Sequence, residues 1–253
     1  MPLDIRAITP TVCRLLYIEP PRLCSVPALD VAGTVKRVLV YCPDAIGTAM
    51  VRDHSDWFAP VRAAAPRAVA LRSMVPPKPP VCFASMFTGA LPQAHGIEGP
   101  VRPVLTCDTL FDAATRAGRN VALVAVKDSS IDLIFRNRSL DYFSETYDRE
   151  VTARTRELLA ADRHDLVVAY NQEYDDCLHR TTSRSESALV AVRHHVAAFA
   201  ALAQTAARAW RSYPYAVMFC PDHGAHDADG RGTHGDDIPE DMELTHFFGP
   251  ERK

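Results

Sequence analysis

With 253 residues, 47% of them hydrophobic and 23% charged, the chain is long enough to bury one sizeable α/β core. Its net charge of −3 and scattered arginines offer no basic face to a nucleic-acid polymer. No apolar run reaches the roughly 18 to 20 residues that crossing a bilayer requires, and the N-terminus, with an acid at Asp4, lacks the basic-then-apolar layout of a signal peptide. The 7 cysteines are spread singly without CxxC spacing, which predicts reduced thiols in a cytoplasm and not a disulfide framework.

Residues 1–34 are proline-rich and show no clear period; they read as an extension laid over a single domain that occupies 35–253. The first strand is predicted in "KRVLVYCPDA" (36–45), an apolar run closed by Pro43 and Asp44 in the manner of a buried parallel strand. Residues 74–97, "MVPPKPPVCFASMFTGALPQAHGI", read as a loop running into a short helix. A helix over 109–118 ends at a glycine, and "NVALVAV" (120–126) follows as the second strand. An amphipathic helix at 151–162 leads to "DLVVAYN" (165–171), the third strand. The longest helix, 185–210, opens with Ser185 and Glu186, and "YAVMFCPDHG" (215–224) is the fourth strand. Alternating strands and helices predict a mostly parallel sheet covered on both faces. Ligands of such sheets bind beyond the carboxyl ends of the strands.

That edge collects the chemistry. The first strand delivers Asp44. After the third come Asp175 and His179, one helical turn apart, so that both can face one ion. The fourth delivers Asp222 and His223, and His234 follows in a glycine-flanked loop, "GTHG". Each piece has an ordinary reading by itself: a strand-end aspartate caps turns, and an Asp–His turn is a solvated face. Together, three carboxylates and three imidazoles suit two divalent ions, zinc first, with manganese or iron compatible. Such pairs clamp phosphoryl groups. His226 and His246 lie near enough to be supporting groups or plain loop residues; His54, His194 and His195 read as surface or helix-packing residues.

"VLVYCPDAIG", "PPVCFASMFTGALPQAHGI", "YNQEYDDCLH" and "PDHGAHDADGRGTHG" resemble, in that order, the alkaline phosphatase superfamily in its type I phosphodiesterase and nucleotide pyrophosphatase branch. Compact bacterial members without large cap insertions are the most similar. The resemblance implies a three-layer α/β sandwich with a mostly parallel central sheet and no large cap domain. It implies one ion held by Asp175, His179 and His234, and a second held by Asp44, Asp222 and His223. The departure is at the nucleophile: where that family places threonine or serine, this chain has Pro79, within "PPKPPVCF". Proline removes both the hydroxyl and a backbone N–H at the helix start. Ser73 and Ser85 are displaced along the chain, and Cys82 reads as a packing residue.

Lys78 precedes a proline and is therefore held extended; it is a candidate cation for an anionic substrate or a general acid, with a solvated surface lysine as the plainer reading. Asn171 is a candidate donor to a substrate oxygen or a turn cap. The expected activity is hydrolysis of a small phosphate ester or nucleotide-like anion, by a metal-bound hydroxide because the usual nucleophile is missing. A lyase or isomerase built on the same metals, or a non-catalytic metal-binding relative, stays open.

Overall fold

The structure, a computed structural model, describes residues 3–31 and 33–250. Nine strands are formed among the described residues: β1 (Arg37–Pro43), β2 (Arg67–Arg72), β3 (Val121–Val126), β4 (Asp141–Glu145), β5 (Leu166–Asn171), β6 (Tyr215–Phe219), β7 (His226–Ala228), β8 (Arg231–Thr233) and β9 (Glu243–Gly249). The helices are α1 (Ile8–Leu16), α2 (Thr48–Asp53), α3 (Ala59–Ala64), α4 (Pro79–Thr88), α5 (Pro92–His95), α6 (Leu110–Arg116), α7 (Ser130–Ile134), α8 (Asp148–Ala161), α9 (Glu173–Arg180), α10 (Glu186–Ala209) and α11 (Pro239–Met242).

Seven strands form one sheet in the order β2-β9-β6-β1-β5-β3-β4, and β7 and β8 make a separate hairpin. β6, β1, β5, β3 and β4 run parallel, while β9 lies antiparallel to both β2 and β6. The central strands are buried on both faces, which is why they read as unbroken apolar runs. Val38, Val40 and Cys42 of β1 belong to one core with α1, α4, α6 and α7, whereas Leu39 and Tyr41 belong to the other with α3, α8 and α10. The two-residue period of a strand thus divides one sequence between two cores.

Helix starts follow local chemistry. Thr109 and Asp112 form a reciprocal capping box on α6, with the Thr109 N–H donating to Asp112 at 2.8 Å. The Ser185 hydroxyl accepts from Ala188 N–H to open α10.

Two expectations change. The N-terminal stretch does carry a helical period: Ile5, Ile8, Val12 and Leu16 are buried in the same core as α4, and the Thr9 hydroxyl donates to the Met86 carbonyl at 2.7 Å. Pro10 sits in the first turn of α1, where a missing N–H costs little. Strands β2, β4 and β9 lay outside the sequence reading. No helix among the described residues is long and apolar enough to cross a membrane.

Candidate metal centre

β1, β5 and β6 are neighbours in the sheet and end at the same edge. Asp44 follows β1, with its N–H donating to the Asn171 carbonyl at the end of β5. α9 begins two residues past β5, so Asp175 lies in its first turn and His179 one turn on. Asp222 and His223 follow β6, and His234 follows the hairpin. All six residues meet there.

Ligand atoms of Asp175, His179 and His234 lie within 4.8 Å of one another, and so do those of Asp44, Asp175 and His223. His179 Nε2 stands 3.3 Å and His234 Nε2 3.4 Å from Asp175 Oδ1. His223 Nε2 is 3.2 Å from Asp44 Oδ1 and 3.4 Å from Asp222 Oδ2. The second grouping differs from the implied set: Asp175, in reach of both groups, stands where Asp222 was expected, and Asp222 lies beside it against His223. The His223 and His234 rings stack at 4.0 Å. Asp44, Asp222 and His223 form a fully buried floor, while the His179 side chain is 41% exposed and marks the open side.

The hydrogen bonds aim the imidazoles. Nδ1 of His179 donates to the Gly232 carbonyl at 3.1 Å, Nδ1 of His223 to the Gly224 carbonyl at 2.9 Å, and Nδ1 of His234 to the Pro77 carbonyl at 2.8 Å. A carbonyl only accepts, so each Nδ1 carries the proton and each Nε2 presents a lone pair inward. The Nε2 atoms of His179 and His234 face each other at 3.1 Å. Asp44 Oδ1, Asp175 Oδ1, Asp222 Oδ2 and His223 Nε2 are buried without a hydrogen-bond donor. Acceptors converging without donors are unfavourable unless a cation lies among them. This donor set of imidazole nitrogen and carboxylate oxygen fits zinc-like divalent ions.

The electrostatics agree. Burial, then the charges of Asp222 and Asp175, hold the Asp44 carboxyl well above its ordinary value, and burial raises Asp222 against the pull of His223. Burial also pushes Asp175 upward, but the adjacent His179, then His234 and His223, outweigh it and the net shift is downward. His234 is pulled down to about 2, chiefly by burial, so it stays neutral and able to ligate. Ala45, beside Asp44, takes a left-handed backbone (φ 62°), unusual for a residue with a Cβ, and its N–H reaches Asp222 at 3.4 Å.

Pro79 is the first helical residue of α4, with Pro80 next and Lys78 as the extended cap residue. Two backbone N–H groups are therefore missing where a helix start usually offers them. Lys78 does not stand free: its ammonium donates to the His234 carbonyl. Asn171 turns away from the cluster, its amide donating to Thr152 Oγ1 at 3.2 Å and the Asp148 carbonyl at 3.4 Å. Cys82 and Ser73 are buried against each other at 3.2 Å, with Ser73 donating to the Asp222 carbonyl, so both serve packing. His246 donates to the Pro221 carbonyl, His226 pairs with Asp241, and His195 is a buried packing residue joined to Tyr41.

Three side chains that the sequence reading passed over support the cluster. Tyr170 donates to Asp44. Asp148 accepts from the N–H groups of Gln172 (2.9 Å) and Glu173 (3.0 Å), fastening the start of α9. Asp241 ties two ligand-bearing loops. No local pattern marks Tyr170 or Asp148, whose partners lie remote in sequence; for Asp241 only "PEDM", a proline followed by two acids, signals a helix start.

No protein-family model matches the chain, and no curated protein sequence does. Among solved structures it is similar to phosphonoacetate hydrolase from Sinorhizobium meliloti 1021 in complex with phosphonoformate, at 19% identity and a TM-score of 0.59, over 77% of this chain and 58% of that one. The complex of the same hydrolase with phosphonoacetate gives 19% identity and a TM-score of 0.58, over 76% and 58%. Murine ectonucleotide pyrophosphatase/phosphodiesterase 5, as an inactive threonine-to-alanine variant in complex with AMP, gives 17% identity and a TM-score of 0.61, over 77% and 58%. The chain thus spans 58% of the length of each neighbour. These neighbours belong to the alkaline phosphatase superfamily, and what this chain shares with them is the fold: a mixed α/β architecture around a mostly parallel seven-stranded sheet.

Proposed function

We propose that the chain is a metal-dependent hydrolase of small phosphate esters or nucleotide-like anions, using two divalent ions and no covalent nucleophile at residue 79. The observation that carries this reading is the convergence of six oriented acceptors, each imidazole pinned through Nδ1 to a carbonyl. Asp175, His179 and His234 would hold one ion; Asp44, Asp222 and His223 the other, with Asp175 between them. Divalent ions there supply Lewis-acid polarisation of an anionic oxygen and make water more acidic.

The chain's own part is positional. Small phosphorus-containing anions bound by the structural neighbours support the substrate class. The exposed side of His179 is the way in for such an anion, and Pro79 closes the α4 side without a hydroxyl, leaving water as the attacking group. Lys78 acts here through His234 and not as a free cation. We read residues 35–253 as one catalytic domain with the N-terminal segment packed upon it, supported by the shared core of α1 and α4. Seven free cysteines support a reducing, cytoplasmic setting.

The paired prolines favour a second reading, in which the same metals drive elimination or isomerisation of an anion. The test is elemental analysis beside turnover of an aryl phosphate and an aryl phosphodiester, for wild type, Asp44→Ala and His179→Ala. Metal and hydrolysis in the wild type, both reduced in the variants, support the proposal. Metal without hydrolysis of either ester transfers the case to the second reading or to a non-catalytic metal binder. Wild-type metal content in both variants removes the site assignment.

A further inference from the structure

We infer that Asp241 is a positioning residue that fastens the His223 and His234 loops, and with them the Asp44 loop, into one preset metal-binding unit; this rests on the metal reading above. Asp241 is fully buried, in the short helix α11. Its Oδ2 accepts from the N–H groups of Gly235 (2.8 Å) and Asp236 (3.0 Å), the two residues that follow His234. Its Oδ1 accepts from His226 Nδ1 at 2.8 Å. Its backbone carbonyl accepts from Gly224, the residue after His223, at 2.8 Å. One residue therefore grips the chain immediately beyond both histidines.

Backbone packing adds an independent observation. A Cβ on Gly224 would stand 2.0 Å from the carbonyl oxygen of Glu240, and one on Gly47 2.9 Å from the same oxygen. Gly47 lies three residues past Asp44. Three ligand-bearing loops thus meet on α11, two through glycines that admit its backbone and one through the Asp241 carboxylate. Charge-assisted bonds from N–H to a buried carboxylate are strong and directional. Outer partners that orient metal ligands govern affinity without touching the ion.

The experiment is zinc titration of the full chain, by competition with a chromophoric chelator, for wild type, Asp241→Ala and Asp241→Asn. Thermal melts of each in excess chelator report the metal-free fold. Asp241→Ala is expected to weaken zinc binding roughly 10- to 100-fold. Asp241→Asn, which keeps the shape but replaces one acceptor with a donor, is expected to weaken it about tenfold by the same reasoning and serves if the alanine variant does not fold. Leu202→Ala, a buried core change in the C-terminal half of α10, toward the start of β6 and away from the strand ends, is the destabilised control and should bind zinc as the wild type does. Variants within twofold of the wild type overturn the inference, as does a control that weakens binding equally. A wild type that binds no zinc sinks the metal reading itself, and that outcome is separate from equal binding by all forms.

Discussion

Asp148 offers a test of how the site is supported from beneath. The residue is 6% exposed, and its carboxylate accepts the two N–H groups that open α9, the helix bearing Asp175 and His179. Burial pushes its pKa from 3.8 up to about 7, against those two bonds and with the charges of Glu173 and Asp176 adding to the rise. His195 of α10 lies 3.9 Å away but accepts from Tyr174 N–H and is pulled by burial to about 3, so it gives no positive charge near neutrality. For a carboxyl raised in the folded state, stability is present below the unfolded value and is lost as pH climbs through the folded one. A rise of about 3 units corresponds to about 4 kcal/mol at 1.36 kcal/mol per unit, lost between about pH 4 and pH 7. His195 shifts the opposite way and gains stability over an overlapping range, so the total profile of the wild type does not isolate Asp148. The difference between wild type and Asp148→Asn does. Guanidinium unfolding in chelator at several pH values should show the variant gaining on the wild type as pH rises, by up to about 4 kcal/mol. A difference constant within about 0.5 kcal/mol between pH 5 and pH 8 would refute the burial argument.

Denatured protein should yield all seven thiols, whereas in the native state the half-buried Cys24, Cys107 and Cys177 should react first and the buried Cys13, Cys42, Cys82 and Cys220 slowly; recovery of stable disulfides contradicts this. Gly224→Ala should cost at least about 3 kcal/mol in chelator, because its Cβ would lie 2.0 Å from the Glu240 carbonyl; a loss below about 1 kcal/mol by urea unfolding would show that α11 yields freely. Wild type quenched during turnover of a labelled phosphate ester should carry no phosphoryl adduct. An adduct mapped to any residue between 73 and 88 would restore covalent catalysis and displace Pro79 from the nucleophile position.

Strands β1, β3, β5 and β6 were legible because both faces are buried, so every position is apolar and the run stands out. β2 alternates in burial, β4 is an edge strand with exposed Asp141 and Ser144, and β9 carries Glu243 and Thr245 among its apolar residues. Each therefore lacks the continuous signal. The convergence of the six side chains could be read because strand ends of a parallel sheet meet at one edge whatever the loops do. Lys78 and Asn171 mark where that logic stops. The backbone of Lys78 is extended, as the following proline requires, yet its ammonium is directed by the His234 carbonyl 156 residues away. Asn171 lies at the expected strand end, but its amide is claimed by the start of α8, 19 residues before it. Side-chain direction at both positions is decided by distant segments that local pattern does not encode.

The antiparallel β9 has a consequence for biosynthesis. β2 is made long before β9, its neighbour in the sheet among the described strands. Until β9 arrives, β6 also lacks its neighbour on that side, so Val217–Phe219 form an apolar, unprotected edge. The nascent chain can close the β1, β3, β4 and β5 region first and must then wait, with two strand edges held apart, for one insertion that joins them. Pairings this remote in sequence form slowly, and exposed edges invite association with other chains meanwhile. Completion of the sheet and seating of α11, which directly precedes β9, therefore fall together, when β9 arrives. The candidate metal centre can therefore assume its full arrangement only after β9 has been made.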